Sequence, residues 1–182
     1  DNGTVIVTGS IDLTGTKLPE LPRFGMRMEL HQPYENLTYY GRGPFENYID
    51  RYSGAFIGRY EDKVENQFYW YIRPQETGNK TDVRWLTLLD SGGLGVKITG
   101  LQPISFSALH FSPEDLDPGL TRKLQHTIDI VPQKNIFLHV DLKQRGLGGD
   151  NSWGMYPHNE YRLLDKKYTY SYMIELVEKG SD

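Results

Sequence analysis

Apolar side chains recur at every second position in two long stretches of this chain. Residues 24–30 read FGMRMEL, and residues 168–176 read YTYSYMIEL, with aromatic or aliphatic side chains on alternate positions. A period of two places these side chains on one face of an extended strand, whereas a helix would need a period near 3.6. The chain is therefore predicted to fold around half-buried β-strands, of which residues 168–176 form the longest.

Further strands are predicted at residues 5–11, 37–40, 56–60, 68–73, 83–89, 95–98, 104–111, 126–131 and 136–142. Glycine, proline, asparagine and aspartate separate them, and Asp90-Ser91-Gly92-Gly93 is typical of a hairpin turn. One short helix is expected at residues 112–116, with Ser112 as N-cap and proline next, and a helical turn at residues 45–48. Many short strands predict an all-β, antiparallel sandwich or supersandwich in a single domain of residues 1–182.

Composition excludes several classes of function. The chain has 182 residues, a net charge of −4 and 20 scattered basic residues, so nucleic acid is not an expected partner. No apolar run approaches the ~18 residues that cross a bilayer, so we expect a soluble chain without a membrane partner. The absence of cysteine excludes disulfides and thiolate metal sites and leaves the compartment, cytoplasm or periplasm, open.

A glycine-rich segment at residues 141–154 delivers one tryptophan between two predicted strands. Gly146, Gly148 and Gly149 allow sharp turns, and Trp153 offers a rigid apolar face with one N–H donor. Such a loop can serve as a platform on which a sugar stacks. Alternatively, Trp153 is buried and anchors the loop by packing, which is the more common role of tryptophan.

Acidic pairs near aromatic or glycine-rich segments are candidates for glycoside hydrolysis, which needs two carboxyl groups flanking the scissile bond. The pairs are Glu46 with Asp50, Glu76 with Asp82, and Asp141 with Asp150, and the possible arginine partners are Arg51, Arg73 and Arg84. Because aspartate is common in turns and charged residues mostly stay exposed, these groups are interpreted as mainly structural.

The sequence contains no familiar histidine-based catalytic motif and no nucleotide-binding motif. The chain has no HExxH, P-loop or GxSxG motif, and Gly41-Arg42-Gly43-Pro44 has proline where a phosphate cradle needs an N–H. His126, His139 and Glu160 are the set that an acid–base reaction such as sugar-ring opening would use. No cofactor or metal site is expected in this chain.

Three longer blocks carry a resemblance to a known family. They are residues 40–51 (YGRGPFENYIDR), 74–85 (PQETGNKTDVRW) and 148–154 (GGDNSWG). In this order they resemble the C-terminal, small-chain domain of the large bacterial β-galactosidases of glycoside hydrolase family 2, and the resemblance covers residues 23 to about 177. It implies a β-supersandwich like that of galactose mutarotase.

The resemblance also implies where chemistry resides. The family's catalytic glutamates lie in a TIM barrel, for which this chain has no room, so it is expected to be inactive alone. The tryptophan that matches Trp153 stacks on the sugar on the aglycone side, with Asp150 and Ser152 as weaker candidates for substrate contact. The family's Mg²⁺ and Na⁺ sites have no counterpart here. Implied partners are the rest of a β-galactosidase chain, especially its barrel, and β-galactosides such as lactose.

The chain departs from the family pattern at some points. Lys80 stands where the family has arginine, which keeps the charge and loses the bidentate fork. The family's domain extends further at its N-terminal side, so this chain is expected to be a truncated domain whose open sheet edge promotes self-association, including a homo-oligomer. Tyr40, Tyr48 and Trp85 are expected in core or interdomain contacts. Two other functions stay open, namely a free-standing galactoside-binding module and an aldose 1-epimerase.

Overall fold

Eight strands dominate the computed structural model, which describes residues 3–31, 33–117, 119, 125–151 and 153–178. The strands are β1 (Val5–Asp12), β2 (Arg23–Leu30), β3 (Asn36–Gly43), β4 (Phe56–Lys63), β5 (Lys80–Leu89), β6 (Leu94–Leu109), β7 (Ile136–Gln144) and β8 (Lys167–Glu178). The short helix α1 (Pro113–Leu116) and 3-10 turns at Val64–Asn66, Thr127–Asp129 and Asn159–Tyr161 complete the regular structure that is described.

All strand pairs are antiparallel. The main path runs β1-β8-β6-β5-β3-β4, and a branch leads from β6 through β7 to β2. The predicted all-β antiparallel fold with one short helix is therefore confirmed. The hairpin at residues 90–93 is confirmed as well, because it joins β5 to β6 with Leu89 opposite Gly95, and Gly93 takes a φ of 90°.

The branch point lies in the middle of β6. Its first half pairs with β8 as far as Gly100 opposite Tyr172, and its second half pairs with β7 from Ser105 opposite Asp141. Pro103 lies between the two halves, where β6 changes partner and a missing N–H costs no ladder hydrogen bond. The two strands predicted at residues 95–98 and 104–111 are thus one strand.

The core forms where β8 packs onto β2 and β7. Tyr170 donates a hydrogen bond to the Val140 carbonyl oxygen at 3.0 Å and meets Phe24 edge to face, with ring centroids 5.5 Å apart. Tyr172 lies beside Met26, with 3.4 Å between hydroxyl oxygen and sulfur. The alternation in residues 24–30 and 168–176 therefore directs these side chains into one sandwich core.

Two predicted strands and one predicted turn are wrong. Residues 68–73 form no strand, because the Tyr69 amide bonds to the Thr77 hydroxyl at 3.0 Å instead of to a neighbouring strand. Residues 126–131 contain a 3-10 turn, in which the Asp129 carboxylate accepts the His126 amide at 2.8 Å. Residues 45–48 do not form a helical turn. The helix expected at residues 112–116 does form, with Ser112 and Asp115 as a capping box.

Lys80 is buried at the start of β5, and no carboxylate of the described residues lies within ion-pair distance of it. Its ammonium donates to Gln67 Oε1 at 2.9 Å and to the Gly78 carbonyl oxygen at 3.3 Å, and it lies 6.0 Å from the centre of the Tyr39 ring. Burial lowers the pKa of Lys80 to about 8. In the part of the chain that the structure describes, Lys80 therefore makes hydrogen bonds to neutral oxygens and no ion pair.

The Lys80 environment predicts a pH-dependent stability. The unfolded chain keeps the Lys80 proton up to a pKa of about 10.4, whereas the folded chain releases it near pH 8. The free energy of unfolding should therefore rise by about 2 kcal/mol between pH 8 and 10. Urea unfolding of wild type and Lys80→Met measures this, because the variant should lose the rise. Lys143→Met, which replaces an exposed lysine, should keep it, and an equal rise in Lys80→Met would contradict the assignment.

Candidate functional site

Trp153 is at the tip of a long loop between β7 and β8, the 145–162 loop, and is almost fully solvent-exposed, at 92%. Its backbone amide donates to Asn151 Oδ1 at 2.8 Å, and Gly154 follows with a φ of 100°. This local turn directs the indole away from the sandwich. The exposure excludes the alternative that Trp153 is a buried anchor. Ser152, the weaker candidate beside it, lies outside the described residues.

The base of the 145–162 loop is held by a buried carboxylate. Glu20 accepts from Arg145 Nη1 at 2.8 Å and from Arg162 Nε at 2.6 Å. Although burial opposes it, the hydrogen bonds from Arg162 and Arg145 lower the pKa of Glu20. Both guanidinium groups also lie over the Tyr156 ring, at 5.3 and 4.8 Å from its centre. The two ends of the loop are therefore fixed to each other.

Asp50 clamps the glycine-rich arm of the same loop. The Gly148 amide donates to Asp50 Oδ2 at 2.7 Å. Gly146 packs so closely that an added Cβ would lie 2.6 Å from the Asp50 Cγ, and at Gly149 it would collide with the Met155 carbonyl oxygen. These glycines allow a close approach of backbone to neighbouring groups that any side chain would block. The loop reaches Trp153 from a braced base.

Removing the Asp50 carboxylate should loosen this arm. In Asp50→Ala we expect the Gly148 amide to exchange with solvent about tenfold faster, because a hydrogen bond to a charged acceptor contributes about 1.5 kcal/mol. Hydrogen–deuterium exchange of the 145–162 loop is the measurement. Asp50→Asn keeps an acceptor oxygen and should stay close to wild type. Unchanged exchange in Asp50→Ala would show that the clamp does not hold the loop.

Asp150, the other predicted contact residue, is exposed on the loop and paired with His158. The His158 Nε2 and Asp150 Oδ1 atoms are 2.8 Å apart, and Asp150 raises the pKa of His158. Asp141, the predicted carboxylate partner of Asp150, is buried in β7 and contacts Arg23. Each carboxylate has a different partner, so the structure gives this pair no shared acid–base role.

Glu46, paired with Asp50 in the sequence-based expectation, is engaged in a separate network. It accepts from Arg51 Nη2 at 2.9 Å, from the Gly78 amide at 2.7 Å and from the Thr77 hydroxyl at 3.0 Å. The Tyr71 hydroxyl also donates to it. With its acceptor capacity used by four donors, Glu46 is a structural residue, as the sequence indicated.

A second ionic network centres on Arg23, which sequence reasoning missed. Its guanidinium lies 2.8 Å from Glu76 Oε1, 3.2 Å from Asp141 Oδ2 and 2.7 Å from His139 Nδ1. Burial raises the pKa of Asp141 to about 7, and burial together with Arg23 lowers the pKa of His139 to about 4. Sequence alone indicates that His139 and Asp141 share one face of β7, because they are two positions apart on one strand. It does not indicate that Arg23 lies beside them.

The remaining candidate sets are not assembled. Glu76 pairs with Arg23, while Asp82 pairs with Arg42 at 2.5 Å. Of the epimerase set, His126 lies 3.6 Å from Asp129 and His139 contacts Arg23. In the part of the chain that the structure describes, no contact joins either histidine to Glu160. The geometry therefore gives no support to sugar-ring opening by these residues.

The described residues contain neither a cluster of metal ligands nor a helix that could span a membrane. No group of three or more histidine, aspartate or glutamate side chains there could hold a metal ion. Within the same residues, no helix combines the length and apolar character that a membrane span requires.

Comparison with known proteins identifies the family. The family model described as "Beta galactosidase small chain" matches residues 2–174. A β-galactosidase from Priestia megaterium is 38% identical over 159 residues, which are 87% of this chain and 15% of that protein. One from Streptococcus thermophilus is 36% identical over 175 residues, 95% of this chain and 16% of that protein. The chain thus spans about a sixth of the length of these relatives, and it belongs to the β-galactosidase small chain family.

Proposed function

We propose that this chain is the C-terminal portion of a β-galactosidase of glycoside hydrolase family 2, which hydrolyses terminal β-D-galactosides such as lactose. In this role it scaffolds a catalytic barrel in the rest of the polypeptide and supplies Trp153 as an aromatic contact to the sugar. The family match supports the parent activity, and the relatives named β-galactosidase are about six times as long.

One observation carries the sugar contact, namely a fully exposed tryptophan on a loop that is braced at its base. A cluster of exposed apolar side chains around an indole is typical of a surface that a partner or ligand covers. Glu20 and Asp50 hold the loop, so stacking does not require much ordering of the backbone. Leu147, Met155 and Tyr156 add exposed apolar surface to the same loop.

Stacking of Trp153 on a sugar ring would position substrate and would not catalyse hydrolysis. Covering about 50–100 Å² of apolar surface contributes roughly 1–2 kcal/mol. Asp150, close to Trp153 in the loop and paired with His158, offers a carboxylate that would accept hydrogen bonds from sugar hydroxyls. The two catalytic carboxyl groups would lie in the rest of the polypeptide.

A second surface supports the scaffolding role. Tyr69, Trp70 and Ile72 are exposed in the 68–73 segment, which does not form a strand. Ile128 and Val131, in and just after the 3-10 turn at Thr127–Asp129, are exposed as well. The Thr127 hydroxyl donates to the Tyr71 carbonyl oxygen, which joins the two segments. An apolar patch of this kind is typical of a surface that another domain covers. We propose that the remainder of the β-galactosidase chain docks there.

We place no metal site in this chain. The family's Mg²⁺ and Na⁺ would be bound by the catalytic barrel, since the described residues offer no cluster of ligands. The exposed edges of β1 and β4, with Ile6 and Phe56 uncovered, provide surfaces through which copies of the protein would associate.

Separate expression of this chain and of the remainder of its polypeptide tests the proposal. The 182-residue chain and the rest of its polypeptide are produced separately, and lactose hydrolysis is measured for each and for the mixture. We expect activity only after mixing. Activity of the remainder alone would overturn the scaffolding role, and saturable galactoside binding by the 182-residue chain alone would favour a free-standing binding module.

A further inference from the structure

Strand β4 is an edge of the sheet in the described part of the chain, because it pairs there with β3 and with no other strand. Its first two residues, Phe56 and Ile57, are exposed apolar side chains. A strand with one free side presents a row of backbone N–H and C=O groups to any chain that can pair with it. The β4 edge therefore has the backbone groups that another strand would need in order to extend the sheet.

The outward backbone groups of β4 belong to its odd-numbered residues. The Val64 amide donates to the Glu35 carbonyl oxygen at 3.0 Å, in continuation of the β3–β4 register. Residues of an antiparallel strand point their N–H and C=O groups alternately to one side and the other, so even-numbered residues of β4 face β3. The backbone groups of Ile57, Arg59 and Glu61 therefore point away from β3.

Arg59 and Glu61 carry opposite charges on one face of β4. Both side chains are exposed, and Arg59 Nη2 lies 2.7 Å from Glu61 Oε1. Tyr60, between them, points to the other face, where its ring packs against Tyr39 with 5.4 Å between centroids. An exposed ion pair within one strand contributes little to the stability of the chain. The two charges are therefore accessible to a strand that presents the opposite charges in reverse order.

A second copy of β4 is such a strand. Two identical antiparallel strands of one sheet are related by a two-fold axis perpendicular to the sheet. If Tyr60 lies opposite Tyr60 of the second copy, Arg59 lies opposite Glu61 of the second copy, and the reverse contact forms as well. The two neighbouring registers place Arg59 opposite Arg59 or Glu61 opposite Glu61, and like charges directly opposite destabilise a sheet. The charges therefore select one register.

The same register aligns the backbone. Arg59 and Glu61 both point their N–H and C=O groups outward, so each pair of them across the axis exchanges both of its hydrogen bonds. Ile57 lies opposite Lys63 of the second copy, whose aliphatic stem would cover part of the exposed isoleucine. Charged residues on an edge strand discourage most pairings, but they favour a partner whose charges are complementary.

We propose that two copies of this protein form a two-fold symmetric dimer in which their β4 strands pair antiparallel, with Tyr60 on the axis. The sheet continues from one copy into the other. This inference rests on the association through sheet edges proposed above, and it specifies the edge, the partner and the register. It does not depend on the sugar contact of Trp153.

Charge reversal in the complete polypeptide that carries this chain tests the dimer. Arg59→Glu places glutamates opposite each other across the axis, and Glu61→Arg places arginines there. Sedimentation velocity at micromolar concentration should show wild type as a dimer or a larger even-numbered assembly. Each variant should dissociate to half that mass, with a dissociation constant at least tenfold higher. Glu114→Arg reverses a charge in an exposed ion pair outside β4 and should keep the wild-type mass.

A mixture of the two variants separates pairing across the axis from damage to the fold. Arg59→Glu has only acidic residues at these two positions and Glu61→Arg has only basic ones, so every contact in a mixed pair joins opposite charges. We expect equimolar mixing to restore the wild-type mass. Four results would overturn the dimer: a monomeric or odd-numbered wild type, an unchanged mass in either β4 variant, equal dissociation in Glu114→Arg, or no restoration on mixing.

Lactose hydrolysis by the same wild-type sample distinguishes this inference from the proposed function. A monomer that hydrolyses lactose would refute the dimer and leave the function in place. A dimer that passes the charge-reversal test and does not hydrolyse lactose would refute the function and leave the dimer in place.

Discussion

Trp153→Ala should lower kcat/KM for lactose about 5- to 30-fold in the assembled β-galactosidase. The loss corresponds to the roughly 1–2 kcal/mol that stacking of a sugar on the indole contributes. If Trp153 stabilises the bound substrate and the transition state equally, the substitution should raise KM and leave kcat nearly unchanged. Steady-state kinetics of wild type and variant provide the measurement.

Two further variants make this result specific. Trp153→Phe keeps an aromatic face and should recover most of the activity. Leu94→Ala removes an exposed apolar side chain that lies outside both the 145–162 loop and the proposed docking surface, and it should leave KM for lactose unchanged. If Leu94→Ala and Trp153→Ala raise KM equally, the effect reflects assembly or folding and the sugar contact is wrong.

Arg23→Ala should destabilise the fold by about 3–5 kcal/mol. Asp141 is 1% exposed, and Arg23 is the cation that faces both Asp141 and Glu76. Removing one partner of a buried ion pair leaves an uncompensated charge, which costs more than the pair itself contributes. Urea unfolding of both proteins measures the difference.

Arg27→Ala is the matched control because Arg27 lies on the same strand and pairs with an exposed carboxylate, Glu114, at 2.8 Å. Exposed pairs contribute about 0–1 kcal/mol, so this variant should remain close to wild type. Arg23→Lys keeps the charge, and its loss of stability should lie between those of Arg23→Ala and Arg27→Ala. A loss below about 1 kcal/mol in Arg23→Ala would contradict the role of Arg23 as the centre of the network.

The same network gives a pH signature. Asp141, with its pKa raised to about 7, contributes less stability as pH rises from 4 to 7. His139, with its pKa lowered to about 4, contributes less as pH falls from 6.5 to 4, so the two trends oppose each other. In Asp141→Asn the Asp141 trend is removed, and within this network only Glu76, whose pKa burial also raises, still opposes the His139 trend. Between pH 6.5 and 4, the free energy of unfolding of this variant should fall as the pH falls. Its slope should exceed that of wild type by up to about 1.4 kcal/mol per pH unit.

The alternation of apolar residues was sufficient to predict most strands, because a period of two is a local property. It placed β2 and β8 correctly and failed at residues 68–73, which have the aromatic composition of a strand. Strand formation needs a partner edge, and there the Thr77 side chain takes the Tyr69 amide instead. Tyr69 and Trp70 in that segment stay exposed, and composition alone does not distinguish an exposed segment from a strand.

Long-range networks were beyond the reach of the sequence. Arg23 and His139 are 116 positions apart, and the β2–β7 pairing brings them together. Asp50 was predicted as a partner of Glu46, yet it clamps Gly148, which is 98 positions away. Trp153 and its glycines were recognisable because the loop motif is contiguous. The residues that brace the loop were not, because each comes from a different segment.

The most direct test of the Trp153 contact is ¹⁹F NMR of the complete protein labelled with 5-fluorotryptophan, with Trp153→Phe used to assign the signal. Trp70 and Trp85 serve as references within the same chain. We expect the Trp153 signal to shift on addition of lactose, or of a slowly hydrolysed galactoside, and the shift to saturate near the KM while the reference signals stay in place. A Trp153 signal that does not move at saturating sugar would contradict it.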